Sequence, residues 1–416
     1  MASADSASVG SSKAGKPRPT LPKSLFAALA NDQATDAKQR RRYPRDILDT
    51  HIHLWTQTQL DRGQIKWPLD SAPEQLRAAH TLKHFARLTA DALASDANWG
   101  PMTGAVFVQG KSHPEVEHDD SELDGSNGGW DAALNEIVES AHSFEMLSAP
   151  VHQGPMSLAA YFELMSTLPP VKASFENVTS CRFLLQDCPR GFMLHERFVD
   201  GLLWLGQHNV AFEMTLDVVK VPGVLDDATD TISRLRQLEE ERQAGNDGHK
   251  LRTRIVLDHF AKPNLLLEPL NPPAPHQSAY IQSLFELSLL PDVYLKLSGL
   301  LDCAPPDLVK DAFDNFRNKR QTQKNNAFSE LRRRILTYVE PALEAFGDTR
   351  IFVGSDWPMF RAKTCFQQRQ RAPPEEAAAW IFEMELYRSA LVEIGCDGVG
   401  LDRIFCLNAK NFYRIS

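Results

Sequence analysis

From residue 47 onward, short apolar runs alternate with stretches whose apolar residues recur at helical spacing. The run opening at Ile47-Leu48 reads as a short buried strand. Pro73 to Ala94 places Leu76, Ala79, Leu82, Phe85 and Leu88 on one helical face. Gly104 to Gln109 is continuously apolar up to its last residue, as expected of a parallel strand covered on both sides. The pattern then predicts helices over Asp131 to Phe144 and Ser157 to Leu168, with a weaker strand at Met146 to Val151 between them. Strands follow at Thr179 to Gln186, Val210 to Leu216, Arg254 to His259, Val293 to Gly299 and Arg350 to Asp356. Helices separate them at Leu194 to His208, Ala228 to Ala244, Gln277 to Leu290 and Phe328 to Phe346. Two more, Glu375 to Ile394 and Asp402 to Tyr413, close the chain. His113 to Gly129 and Asp311 to Asn326 are polar and read as insertions.

Eight strands alternating with helices imply parallel pairing through right-handed crossovers, and eight such units close into a (β/α)8 TIM barrel. The rival is an open doubly wound sheet. A dinucleotide site there would need a glycine-rich turn after the first strand, and Asp49-Thr50-His51-Ile52-His53 occupies that turn instead. Residues 1–44 are rich in Ser, Ala, Lys and Pro and read as a partly disordered arm. Residues 45–416 are expected to form the barrel domain.

Composition narrows the function. A net charge of -9 argues against a nucleic-acid or anionic-membrane partner, so an anionic substrate must meet local basic side chains. Six scattered cysteines without a Cys-x-x-Cys pair indicate neither a zinc knuckle nor a disulfide framework. No apolar run approaches the roughly 20 residues of a membrane helix, and the N-terminus lacks the apolar core of a secretory signal. These features predict a cytoplasmic protein acting on a small molecule, with homo-oligomerisation open.

The chemistry-bearing residues fall at strand ends. On a strand, residues i and i+2 share a face with Cα atoms roughly 6.6 Å apart, so His51 and His53 can converge on one atom. His259 ends the sixth strand, Lys296 is embedded in the seventh and Asp356 ends the eighth. Gln109, Arg182 and Gln186 end the second and fourth. In a barrel these ends share one mouth. Structural alternatives exist for each: Asp258-His259 as a helix cap with a buried histidine, Lys296 as the partner of Glu213 or Asp356, Asp356 as a cap, and Arg182 as an interior ion-pair residue.

Several segments carry a resemblance to a known family. They are Leu48-Asp-Thr-His-Ile-His-Leu-Trp55, Cys181 to Gln186, Val256-Leu-Asp-His-Phe-Ala-Lys-Pro263, Val293 to Leu300, Phe352-Val-Gly-Ser-Asp-Trp-Pro358 and Asn408 to Tyr413. In this order the chain resembles the amidohydrolase superfamily, within it the amidohydrolase-related branch of rhamnono- and fucono-lactonases and pyrone-dicarboxylate lactonase. The long N-terminal arm and insertions at 111–128 and 303–327 depart from that branch. The resemblance implies hydrolysis of a lactone or related acyl or carboxylic substrate, with Asp356 as base. His51, His53, His259 and Asp356 would hold one Zn²⁺-like divalent ion, or act without metal. The fifth strand offers no histidine and the fourth no terminal lysine, which disfavours a two-metal centre. Lys296 or His259 would stabilise charge, while Arg182, Gln109, Trp55 and Trp357 would contact substrate. The rivals are decarboxylation or hydration of an unsaturated acid on the same site, and a barrel that binds without chemistry.

Overall fold

The computed structural model describes residues 42–55, 57–61, 74–108, 143–145, 179–243, 252–270, 273–319, 326–359 and 373–415. The expected helix over 157–168, residues 131–142 of the other expected helix, the strand expected at 146–151, the insertion at 113–129, Gln109 and almost all of the N-terminal arm lie outside these residues, whereas Ser143 and Phe144, expected to end a helix, belong to a strand. Eight strands are present: β1 Ile47–Ile52, β2 Met102–Phe107, β3 Ser143–Glu145, β4 Ser180–Leu184, β5 Ala211–Thr215, β6 Ile255–Leu257, β7 Val293–Leu297 and β8 Ile351–Val353. All pair in parallel, β1 with β2, and β3 through β8 in sequential order. The third strand thus begins three residues before the stretch expected for it. Between β8 and β1, Ile52 bridges to Trp357, and the His53 amide donates to the Trp357 carbonyl at 2.7 Å.

Besides two five-residue helices, Gln57–Asp61 and Gly398–Asp402, the described helices are α1 Leu82–Ala94, α2 Glu196–Gln207, α3 Val224–Gln243, α4 Pro275–Ser288, α5 Pro306–Arg317, α6 Ala327–Phe346, α7 Pro373–Glu393 and α8 Asn408–Tyr413. Two differ from expectation. The periodicity across 73–94 is broken into a 3-10 turn at Glu74–Arg77 and α1, because His80 leaves the helical path to exchange backbone hydrogen bonds with Trp55. Thr81 then caps α1, accepting from the His84 amide. The stretch from Asp311 is not simply a polar insertion: α5 runs through it to Arg317 and buries Val309, Ala312 and Phe313, an i, i+3, i+4 face hidden among charges. Among the described residues no helix is long and apolar enough to cross a membrane.

Strand residues facing away from the helices form their own small core. Leu48, Val106, Ala211, Val256 and Phe352 pack together, and Cys406, Ala409, Phe412 and Tyr413 close it from the end of the chain. The strands' N-terminal ends are therefore plugged by α8, and polar residues accumulate toward the opposite ends. Within β1 the pairing register slips between Asp49 and Ile52, a bulge-like irregularity. Such a slip moves subsequent side chains to the other face. Here it follows Leu48, an interior core residue, and precedes His51 and His53, which also turn inward.

Candidate active site

His51 and His53 do converge. Nε2 of His53 lies 3.2 Å and Nε2 of His51 3.5 Å from Asp356 Oδ1. Ligand atoms of His51, His259 and Asp356 lie within 4.8 Å of one another, all three residues being buried. The approach of β8 to β1 requires Gly354, where a Cβ would come within 2.8 Å of His51 Cβ. His259 similarly needs Gly299, which has φ of +59° and would place a Cβ 2.6 Å from His259 Nδ1.

Backbone conformation at the two strand ends is unusual. His259, Phe260, Ala261 and Lys262 all have φ between 51° and 56°, and Asp356 has φ of 56°. A left-handed conformation costs roughly 1–2 kcal/mol at each non-glycine residue, so surrounding contacts must hold these turns. The Tyr280 hydroxyl donates to the Phe260 carbonyl at 2.8 Å, and the Val218 amide to that of Ala261 at 3.1 Å. The Trp357–Pro358 peptide after Asp356 is cis.

Electrostatics favour an ionised Asp356 and uncharged His51 and His259. Burial works against ionisation of Asp356, but His259, His53 and His51 outweigh it and hold the carboxyl well below its usual range. Burial lowers His259 from 6.5 to about 4 against the pull of Asp356 and Asp258. Burial, and next Lys296, push His51 down as well. His53 Nδ1 lies 2.7 Å from the Val108 carbonyl, which can only accept, so Nε2 is the nitrogen left for Asp356. An imidazolium there would donate to the carboxylate, whereas a neutral ring presents a lone pair to an acceptor. A cation between them removes that conflict, and the donor set of imidazole and carboxylate suits one zinc-like ion. The residues therefore fit such a group.

Behind His51 lies a second, fully buried cluster. Lys296 Nζ is 2.5 Å from Glu213 Oε2, 3.0 Å from Asp258 Oδ1 and 3.3 Å from His51 Nδ1. Hydroxyls of Ser180 and Tyr413 donate to Glu213 Oε1 at 2.6 and 3.1 Å, and that of Thr215 donates to Asp258 Oδ2 at 2.7 Å. Lys296 is thus paired with Glu213 and Asp258 on the far side of His51 from Asp356, rather than at the mouth where the strand count would put a group acting on substrate.

The remaining expected residues divide. Arg182 is buried with Nη1 3.3 Å from His51 Nε2, within the wall of the site. Trp55 and Trp357, expected to contact substrate, are both fully buried. The indole of Trp55 donates to the Ala78 carbonyl at 2.8 Å, and both rings meet His80 edge-on, so they buttress the site from behind. Sequence reasoning passed over Asp49, which orders the first and last strands. Its Oδ1 accepts from the amides of Ser355 and His51 and its Oδ2 from the indole of Trp380. It also passed over Ser298, whose Oγ lies 2.9 Å from His259 Nδ1, and Lys262, whose ammonium donates to Gln186 Oε1. Their motifs, Lys-Leu-Ser-Gly and Asp-His-Phe-Ala-Lys-Pro, were visible; their partners were not.

No family model matches the chain. It is 31% identical over 170 residues to an L-fucono-1,5-lactonase of Burkholderia ambifaria, a match spanning 39% of this chain and 42% of that relative. The chain thus aligns with less than half the length of this curated protein. An amidohydrolase from Burkholderia multivorans with bound zinc superposes with a TM-score of 0.56 at 17% identity, covering 89% of this chain and 99% of its own. The same protein with bound HEPES gives 0.54 over the same extents. At that identity the likeness speaks to the fold. Similarity to the lactonase in one segment and to the amidohydrolase fold along most of the chain together support the resemblance to the amidohydrolase-related, lactonase-like branch.

Proposed function

We propose that the chain is a hydrolase of a lactone or related small acyl or carboxylic substrate, that its eight strands close into a (β/α)8 barrel, and that Asp356 is its general base. The observation carrying this reading is the grouping of His51 and His259 with Asp356, with His53 beside the same carboxylate. Asp356, favoured in its ionised form, takes a proton from water as the oxygen adds to the acyl carbon. His51, His53, His259 and Asp356 would hold one divalent ion, which when bound polarises the carbonyl and makes its water more acidic. Where no ion is held, His259, kept uncharged by burial and oriented by Ser298, would hydrogen-bond the departing ring oxygen, and Asp356 returns its proton to that oxygen as the ring C–O bond breaks. Lys262 and Arg182 supply positive charge for a substrate carboxylate in an otherwise acidic protein.

The test is Asp356→Asn assayed against a panel of lactones, following ring opening. Removal of a general base should lower kcat by about 10² to 10⁴-fold, with cooperative unfolding retained. A near-normal rate on the best wild-type substrate would refute the base assignment, and release of CO2 in place of ring opening would overturn hydrolysis.

A further inference from the structure

We infer that the side chain of Lys296 is a resident cation filling an inner metal-like pocket made by His51 Nδ1, Glu213 and Asp258. The inference does not depend on which bond the site cleaves. Ligand atoms of these three residues lie within 4.8 Å of one another, and all three are fully buried. Such a group, two carboxylates and an imidazole nitrogen, is the donor set a divalent ion takes. The ammonium stands among all three, at 2.5, 3.0 and 3.3 Å. Asp258 Oδ1 points into this pocket and accepts no hydrogen bond, its partners there being the ammonium at 3.0 Å and His51 Nδ1 at 3.7 Å.

Charge balance and donor counting both favour this assignment. Two buried carboxylates without a cation are very costly, and Lys296 reaches both, with the ring of Tyr413 5.7 Å from Nζ. An ammonium offers three N–H donors and no acceptor, and a guanidinium likewise only donates. Lys296 approaches His51 at Nδ1 and Arg182 at Nε2, but a neutral imidazole can accept at only one nitrogen. With three N–H donors the ammonium serves both carboxylates and the ring, so the consistent arrangement has Nδ1 accepting from Lys296 and Nε2–H directed at Asp356 Oδ1. Lys296 is accordingly a positioning residue: it holds Asp258 and, through Nδ1, the ring that faces the reacting side. An ion in the outer group would then have the ammonium, not a second metal, as its neighbour across His51.

The experiment compares wild type, Lys296→Ala, Lys296→Met and the charge-balanced double variant Lys296→Met with Glu213→Gln. Elemental analysis after equilibration with Co²⁺ should find one more equivalent per chain in Lys296→Ala than in wild type, with a second set of cobalt visible bands. Its Tm should fall without metal and recover with added Co²⁺. The double variant should be more stable than Lys296→Met alone and should take up no extra equivalent. If Lys296→Ala does not fold, the last two comparisons still decide. The inference is overturned if Lys296→Met alone is as stable as wild type, if the double variant is no better than it, or if folded Lys296→Ala gains no cobalt. A wild type that hydrolyses no lactone yet shows this metal pattern would sink the proposed function and leave the inference standing.

Discussion

Replacing Asp49 with alanine removes a side chain that ties β1 both to the segment after β8 and to α7. Asp49 is fully buried and accepts three hydrogen bonds, at 2.8 Å from the Ser355 amide, 3.2 Å from the His51 amide and 3.0 Å from the Trp380 indole. Leaving a buried donor unpaired costs about 1–3 kcal/mol, so three amount to a gross loss of about 3–9 kcal/mol. Part of this is offset, because burial pushes the Asp49 carboxyl up in pKa despite those bonds, meaning that its charge is itself costly to hold there. A net destabilisation of about 2–5 kcal/mol is expected for Asp49→Ala. Asp49→Asn keeps one oxygen for the two amides and turns its NH2 toward the Trp380 indole, a single donor-to-donor conflict worth about 1–3 kcal/mol. Urea unfolding followed by circular dichroism measures both. If alanine falls within about 1 kcal/mol of wild type, or asparagine is the more damaging, Asp49 does not join the first and last strands energetically.

Two further outcomes follow from the site. With His259 lowered from 6.5 to about 4, the unfolded chain binds more protons than the folded one between those values. The His259 contribution to the stability of the metal-free protein should therefore fall by about 3 kcal/mol as pH drops from 6.5 to 4, at about 1.4 kcal/mol per pH unit, with His51 acting in the same direction. His259→Gln should flatten that slope, and a Tm that rises on acidification would contradict the assignment. Ser298→Ala removes the hydroxyl 2.9 Å from His259 Nδ1; loss of such an orienting partner should lower kcat/KM about 10 to 100-fold with little change in Tm, and an unchanged kcat/KM would show that the ring is held by packing alone.

The alternation of strands and helices was legible because parallel strands buried on both faces leave continuous apolar runs such as Ile255–Leu257 and Ile351–Val353. The convergence of His51, His53, His259 and Asp356 was legible for a related reason: strand ends share a face, and strand periodicity sets which residues do so. What could not be read depends on pairing across the chain. Asp49 finds Trp380 from 331 positions away and Lys296 finds Glu213 from 83, distances over which local pattern carries no information. The left-handed run at 259–262 was equally hidden, since none of its residues is glycine and only tertiary contacts hold it. Trp55 and Trp357 looked like pocket walls because they stand next to the histidines and the aspartate, but tertiary contacts with Ala78 and His80, which local pattern does not show, draw both rings into the core.

The seating of α8 under the strands carries a consequence for synthesis. Tyr413 donates to Glu213, Glu213 pairs with Lys296, and Lys296 abuts His51. A chain emerging from the ribosome N-terminus first presents its first histidines more than 350 residues before the turn that steadies them is made. The proposed active site is thus completed only with the final stretch of translation, and a nascent fragment ending short of residue 413 lacks the Tyr413 hydroxyl that steadies Glu213 behind it.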